Sequence, residues 1–128
     1  MFVKPGYPRI RIIKELIGMN ALRNKVLLIG HLGQDPEITE AENGSRRARF
    51  SLATNETYRN ASGEKVTDTQ WHQVVAWGKT AEIAEAYLKK GREVAVEGKL
   101  IHRHYDTEEG QRKYITEVKC LELLLLGK

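Results

Sequence analysis

From Lys25 onward, apolar residues recur with a period of two in short runs broken by glycine and proline, and only one stretch carries a helical period. Period two sends alternate side chains to opposite faces of a strand, so this pattern confines the chain to a β-rich fold with one inserted helix. Val26-Leu27-Leu28-Ile29 is ended by Gly30 and Gly33, and Asp35-Pro36 marks a turn. After the Asn43-Gly44 turn signal, Ala48, Phe50 and Leu52 alternate with Arg47, Arg49 and Ser51. The polar stretch 59–68, with Ser62-Gly63, is expected to be a loop, and Gln70 to Trp77 the next strand.

The helical stretch follows. Thr80 is expected to cap it, Ile83, Ala84, Tyr87 and Leu88 to share one face, Lys89 and Lys90 to sit at the C-terminal end, and Gly91 to stop it. Strand signals resume at Val94 and Val96, with Gly98 where a bulge would bend the strand. That segment runs to Tyr105, turns through 106–111, and returns from Arg112 to about Leu125. Three strands, a helix and two strands is the order of an OB-fold. The expectation is therefore an all-β, five-stranded Greek-key barrel with one α-helix between strands three and four.

The 128 residues suit one such domain. Residues 1–18, interrupted by Pro5, Gly6 and Pro8, are expected to be a flexible N-terminal extension, and 19–128 the barrel domain. Lys4, Arg9, Arg11 and Lys14 break up the first residues, which argues against a secretory signal. No run approaches the roughly 20 apolar residues that span a bilayer. Leu123 to Leu126 is too short for an anchor and is expected to be the buried end of a strand or a contact between subunits. The single cysteine, Cys120, fits a cytoplasmic location. The net charge of +4 is unevenly spread: residues 1–25 hold six basic residues against Glu15, whereas 26–128 holds 15 basic and 16 acidic residues. A polyanion would have to be met by locally sorted charge rather than by bulk basicity.

The segment Trp71-His72-Gln73-Val74-Val75-Ala76-Trp77 carries the most chemistry. On a strand, Trp71, Gln73, Val75 and Trp77 share one face, and the small apolar residues lie on the other with His72. A core strand would put its bulk on the fully apolar side, whereas here the indoles take the mixed one. Both indoles packed in the core stays open from this segment alone, since tryptophan is usually largely buried. Aromatic and basic residues recur together elsewhere, at Tyr58-Arg59, at Arg103 and Tyr105, and at Lys79 after Trp77. Flat rings stack on any nucleobase, at about 1–3 kcal/mol per base, while Lys and Arg neutralise phosphates.

The sequence closely resembles the bacterial single-stranded DNA-binding protein family over about residues 20–119. The resemblance is carried by Asn24-Lys25-Val26 through Gly33-Gln34-Asp35-Pro36-Glu37, Ser51-Leu52-Ala53-Thr54 with Tyr58, and Trp71-His72-Gln73-Val74-Val75 through Trp77-Gly78-Lys79. It continues through Ala84 to Gly91, Val96-Glu97-Gly98-Lys99-Leu100, and Tyr114 to Val118. It implies an OB-fold homotetramer that coats single-stranded DNA during replication, recombination and repair, associated with the nucleoid and needing no cofactor. The family's stacking aromatics fall on Tyr58, Trp71, Trp77 and Tyr105, its basic positions on Lys25, Lys79 and Arg103, and its subunit contacts on His72 and Tyr114.

Three departures stand out. Tyr replaces the commoner Trp at 58 and 105, which leaves a smaller stacking surface. Gln73, Ile101 and His104 occupy positions often basic in the family, so fewer phosphate contacts and a shallower salt dependence are expected. The family normally ends in a flexible tail with an acidic tip that recruits partners, whereas this sequence stops at Leu126-Gly127-Lys128. The expectation is a removed tail or a short paralogue.

Other readings are weaker. His102 and His104 could form half a metal site with Cys120, but no full ligand set or catalytic signature accompanies them, so neither metal nor enzyme is expected. An OB-fold serving only protein interaction would not need four stacking aromatics. Stacking does not sense the 2′-hydroxyl, so some RNA affinity stays compatible with the sequence.

Overall fold

The computed structural model describes residues 22–127, and the expected extension at 1–18 lies outside them. Beyond residues 22–23, which are helical, six strands and one helix follow among the described residues: β1 Val26–Leu32, β2 Glu37–Glu40, β3 Arg46–Arg59, β4 Lys65–Trp77, α1 Gly78–Tyr87, β5 Glu93–Asp106 and β6 Arg112–Leu125. The sheet runs β1-β5-β6-β4-β3-β2, and a further pairing of β1 with β3 closes a five-stranded barrel. β2 is added outside the ring on β3, from Glu37 opposite Arg49 to Glu40 opposite Arg46. The fold is the expected OB barrel, with β2 as a short extra strand, so the helix falls between the fourth and fifth strands in chain order.

Closure depends on two close approaches of backbone. β1 pairs with β5 from Val26 to His31 and then crosses to β3 at His31–Ala53 and Leu32–Leu52. A Cβ at Gly30 would collide with the Ala53 carbonyl, so only glycine permits the crossing. Between Glu97 and Gly98 the β5–β6 register shifts, Glu97 facing Glu122 and Gly98 facing Cys120. The extra residue is therefore Leu121 on β6, so the expected irregularity at Gly98 is real but the inserted residue belongs to the partner strand. A Cβ at Gly98 would strike the Lys119 carbonyl.

The alternation in sequence becomes the wall of the barrel. Leu32, Phe50, Leu52, Val74, Val94, Val96, Val118 and Cys120 point inward, and α1 adds Ala81 and Ala84. Burial of the Cys120 thiol pushes its pKa up to about 11. The helix departs from expectation in three respects. It begins at Gly78 with Trp77 at the N-cap position and no side-chain cap, rather than at Thr80. Ala81, Ala84 and then Leu88 face the core, while Ile83 and Tyr87 are exposed. It ends at Tyr87, before Lys89 and Lys90, because Leu88 turns extended to enter the core.

The β3–β4 ladder is unbroken from Arg47–Trp77 to Arg59–Lys65, so the expected loop at 59–68 shrinks to residues 60–64. Its outer half is exposed on both sides and has no apolar alternation to reveal it. Cross-strand pairs such as Thr57–Thr67 and Tyr58–Val66, all good strand formers, take its place. At the tip, Asn60 Oδ1 accepts hydrogen bonds from the amides of Ser62 and Glu64, both at 3.0 Å. The outer half of β5–β6 forms a second exposed ribbon. At the C-terminus, Leu123 and Leu125 pack against the core while Leu121 and Leu124 are exposed.

Candidate nucleic-acid interface

The register fixes which side chains share the outer face of the barrel. On β4 these are Trp71, Gln73, Val75 and Trp77, opposite Ala53, Ser51, Arg49 and Arg47 of β3. Val75 also faces Lys119 of β6, and farther along Glu117 faces Ile101 of β5, followed on the same side by Arg103 and Tyr105. A basic and aromatic surface thus spans four strands.

Neither indole is in the core. Trp71 is 60% and Trp77 43% exposed, while Val74 and Ala76 between them fill the interior. Each ring nevertheless has a seat. A Cβ at Gly33 would lie 2.5 Å from the Trp71 ring, so the bare glycine backbone is what leaves room for the indole. The Arg47 guanidinium sits 5.7 Å from the Trp77 ring centroid, in cation–π range. A ring held on one side presents its free face to a flat ligand at a lower ordering cost.

Tyr105 is half exposed on the β5 ribbon, two residues beyond Arg103 on the same side. Tyr58 is as exposed but differently placed. Its partner is Val66, and its parity is that of Phe50 and Leu52, so it projects from the other side of the ribbon to Trp71 and Trp77. The four aromatics therefore do not share one sheet face: three do, and Tyr58 stands across the ribbon beyond the barrel.

The expected basic residues have distinct surroundings. Lys79 is exposed in the first turn of α1, two residues after Trp77. Lys25 immediately precedes β1, with Nζ 3.1 Å from Glu97. Arg103 donates from Nε to Glu117 Oε1 at 2.7 Å and from Nη2 to Oε2 at 3.4 Å, and Arg49 donates to Oε2 at 3.2 Å. Glu117 itself is only 3% exposed. The hydrogen bond from Arg103, reinforced by the nearby charges of Arg103, Arg49 and Arg47, holds its carboxyl below the usual glutamate range against the opposing effect of burial.

Arg47, Arg49 and Glu117 were not among the residues expected at the site. Same-face counting on β3 flags the two arginines, since both alternate with Ala48 and Phe50. Glu117 has no local signal, because its partner Arg49 is 68 residues away.

The other expected positions lie elsewhere. His72 is half-buried on the inward side, its Nε2 2.9 Å from Thr54 Oγ1. Tyr114 is exposed, its ring 6.1 Å from that of His104. His102 bonds to Thr116 Oγ1 at 2.8 Å on the exposed ribbon, whereas Cys120 is buried in the barrel opposite Gly98, so the half metal site does not assemble.

A closed OB barrel whose outer face carries supported indoles among arginines is a nucleic-acid-binding type of module. Comparison with known proteins narrows the class. A family model described as the single-strand binding protein family matches residues 23–126, and the chain belongs to that family, whose members are non-enzymatic DNA-binding proteins. It is 49% identical over 105 residues to the single-stranded DNA-binding protein 1 of Chlorobaculum tepidum, covering 81% of this chain and 65% of that protein's length. It is also similar to the Plasmodium falciparum SSB solved in complex with ssDNA, with a TM-score of 0.76 and 37% identity, covering 81% of this chain and 95% of that one.

Proposed function

We propose that this protein binds and protects single-stranded DNA without strong sequence preference, in DNA replication, recombination and repair. Bases stack on Trp71, Trp77, Tyr105 and Tyr58, and Lys25, Lys79 and Arg103 contact phosphates. The observation that carries the reading is the exposure of both indoles on one strand face, each with a supporting neighbour, in a barrel whose core is already filled. The names of the similar bacterial protein and of the similar solved complex support the choice of ligand.

The working form is a homotetramer, with His72 and Tyr114 at subunit contacts and a cytoplasmic, nucleoid-associated location. Assembly is supported by Leu27, Ile29 and Leu124, exposed around Ala95 on one side of β1-β5-β6. It is supported too by β1, which from Val26 to Gly30 is paired along one edge only. No helix among the described residues is long and apolar enough to cross a membrane.

The test is a tryptophan fluorescence titration with poly-dT and with duplex DNA at two salt concentrations. Quenching by poly-dT alone, weakening as salt rises, is expected. No quenching at low salt would return the barrel to a role in protein interaction.

A further inference from the structure

Three charged side chains from three strands meet on the outer face, across the stretch of β4 that presents Gln73 and Val75. Glu117 on β6 is almost fully enclosed, yet its two oxygens reach Arg103 on β5 at 2.7 Å and Arg49 on β3 at 3.2 Å. Arg49 and Glu117 lie on strands that both flank β4, Arg49 opposite Val75 and Glu117 level with Gln73, so the bond between them spans β4. Two guanidiniums around one carboxylate leave a net positive charge. A guanidinium has five N–H donors, of which Arg49 commits one to Glu117 and Arg103 two. Both arginine side chains remain open to solvent, at 32% and 44% exposure. The uncommitted donors of two neighbouring guanidiniums are chemistry suited to a tetrahedral anion.

We propose that Arg49 and Arg103 act together as a clamp for a single backbone phosphate of the bound strand, with Glu117 as the positioning residue that draws them together from opposite sides of β4. The inference rests on the single-stranded DNA reading and adds two residues to it, Arg49 as a contact and Glu117 as its organiser. Arginine gives up much rotamer freedom when it binds phosphate, and a pair already held by a buried carboxylate has given up part of it beforehand. Glu117 thus aids the binding of a polyanion although it carries the same sign of charge.

That sign makes the test decisive. If the face acts only through its total charge, Glu117→Gln adds one positive charge, tightens binding and steepens the salt dependence. If Glu117 positions the clamp, the same variant binds a dT oligomer at least about fivefold more weakly, the loss of roughly one hydrogen bond. Its salt slope becomes shallower by about 0.7, one phosphate on a single strand. Arg49→Gln and Arg103→Gln each lose that step, and the double variant loses no more than one, because the two arginines hold the same phosphate.

Tighter or unchanged binding by Glu117→Gln, or two full steps lost by the double arginine variant, overturns the clamp. Circular dichroism checks folding, and should Glu117→Gln fail to fold, the arginine cycle decides the matter with Glu117 in place. The wild-type titration separates the two levels. Absence of quenching there defeats the DNA reading itself, whereas wild-type quenching beside a tighter Glu117→Gln defeats only the clamp.

Discussion

Trp71 rests on Gly33: a Cβ at position 33 would stand 2.5 Å from Cζ3 and 2.9 Å from Cη2 of the indole. The contact joins the chain just after β1 to the middle of β4 and sets how the ring lies on the outer face. Gly33→Ala must move the ring, since no other atom can yield as easily. We expect this variant to lose most of the affinity for poly-dT that Trp71→Ala loses, and the double variant to bind no worse than Trp71→Ala alone. Wild-type binding by Gly33→Ala would mean that the ring's placement is irrelevant.

Trp77 is backed by Arg47 and contributes little to the core. Trp77→Ala should weaken binding by about 1–3 kcal/mol, roughly 5- to 150-fold in Kd. Its thermal midpoint should stay within a few degrees of wild type, as for a surface substitution. Titration and thermal melting together check this. A large loss of stability with little change in affinity would reassign the indole to packing.

Gly98 governs stability rather than binding. A methyl group there would strike the Lys119 carbonyl at the bulge that seats β5 against β6. Gly98→Ala should cost about 1–3 kcal/mol or more as overpacking strain, read as a lower urea midpoint. An unchanged midpoint would show that the bulge relaxes freely.

Acid should act through Glu117. Its carboxyl is held below the ordinary value of 4.5 by the Arg103 hydrogen bond and the surrounding arginines. A group whose pKa is lowered on folding stabilises the native state at higher pH, and that stability disappears as pH falls through the folded-state value. The gap in thermal midpoint between wild type and Glu117→Gln should therefore be greatest near neutrality and close below pH 4.5. Comparing the two cancels the other carboxylates, and a gap that stays constant with pH would exclude this origin.

The alternation Val74–Ala76 inward, Trp71–Gln73–Trp77 outward was legible from seven consecutive residues, because strand parity is a local property. So were the turns at Gly44 and Gly110, the helix between strands, and the barrel-forming parts of the five strands. Parity could equally have warned that Tyr58 lies across the ribbon from Trp71, but only once an uninterrupted ladder from Arg47–Trp77 to Arg59–Lys65 was known. The outer ribbon was hidden because solvent on both sides removes the apolar alternation that marks a strand.

Taken alone, the sequence determined the fold class, the turns and the outward side of each aromatic on β4, all consequences of spacing within a few residues. Tertiary structure decided the rest: β1 crossing to β3 at Gly30, the glycine under Trp71, and the Arg49–Glu117–Arg103 group. Those depend on barrel closure, which brings together side chains as far as 68 residues apart that no local period relates.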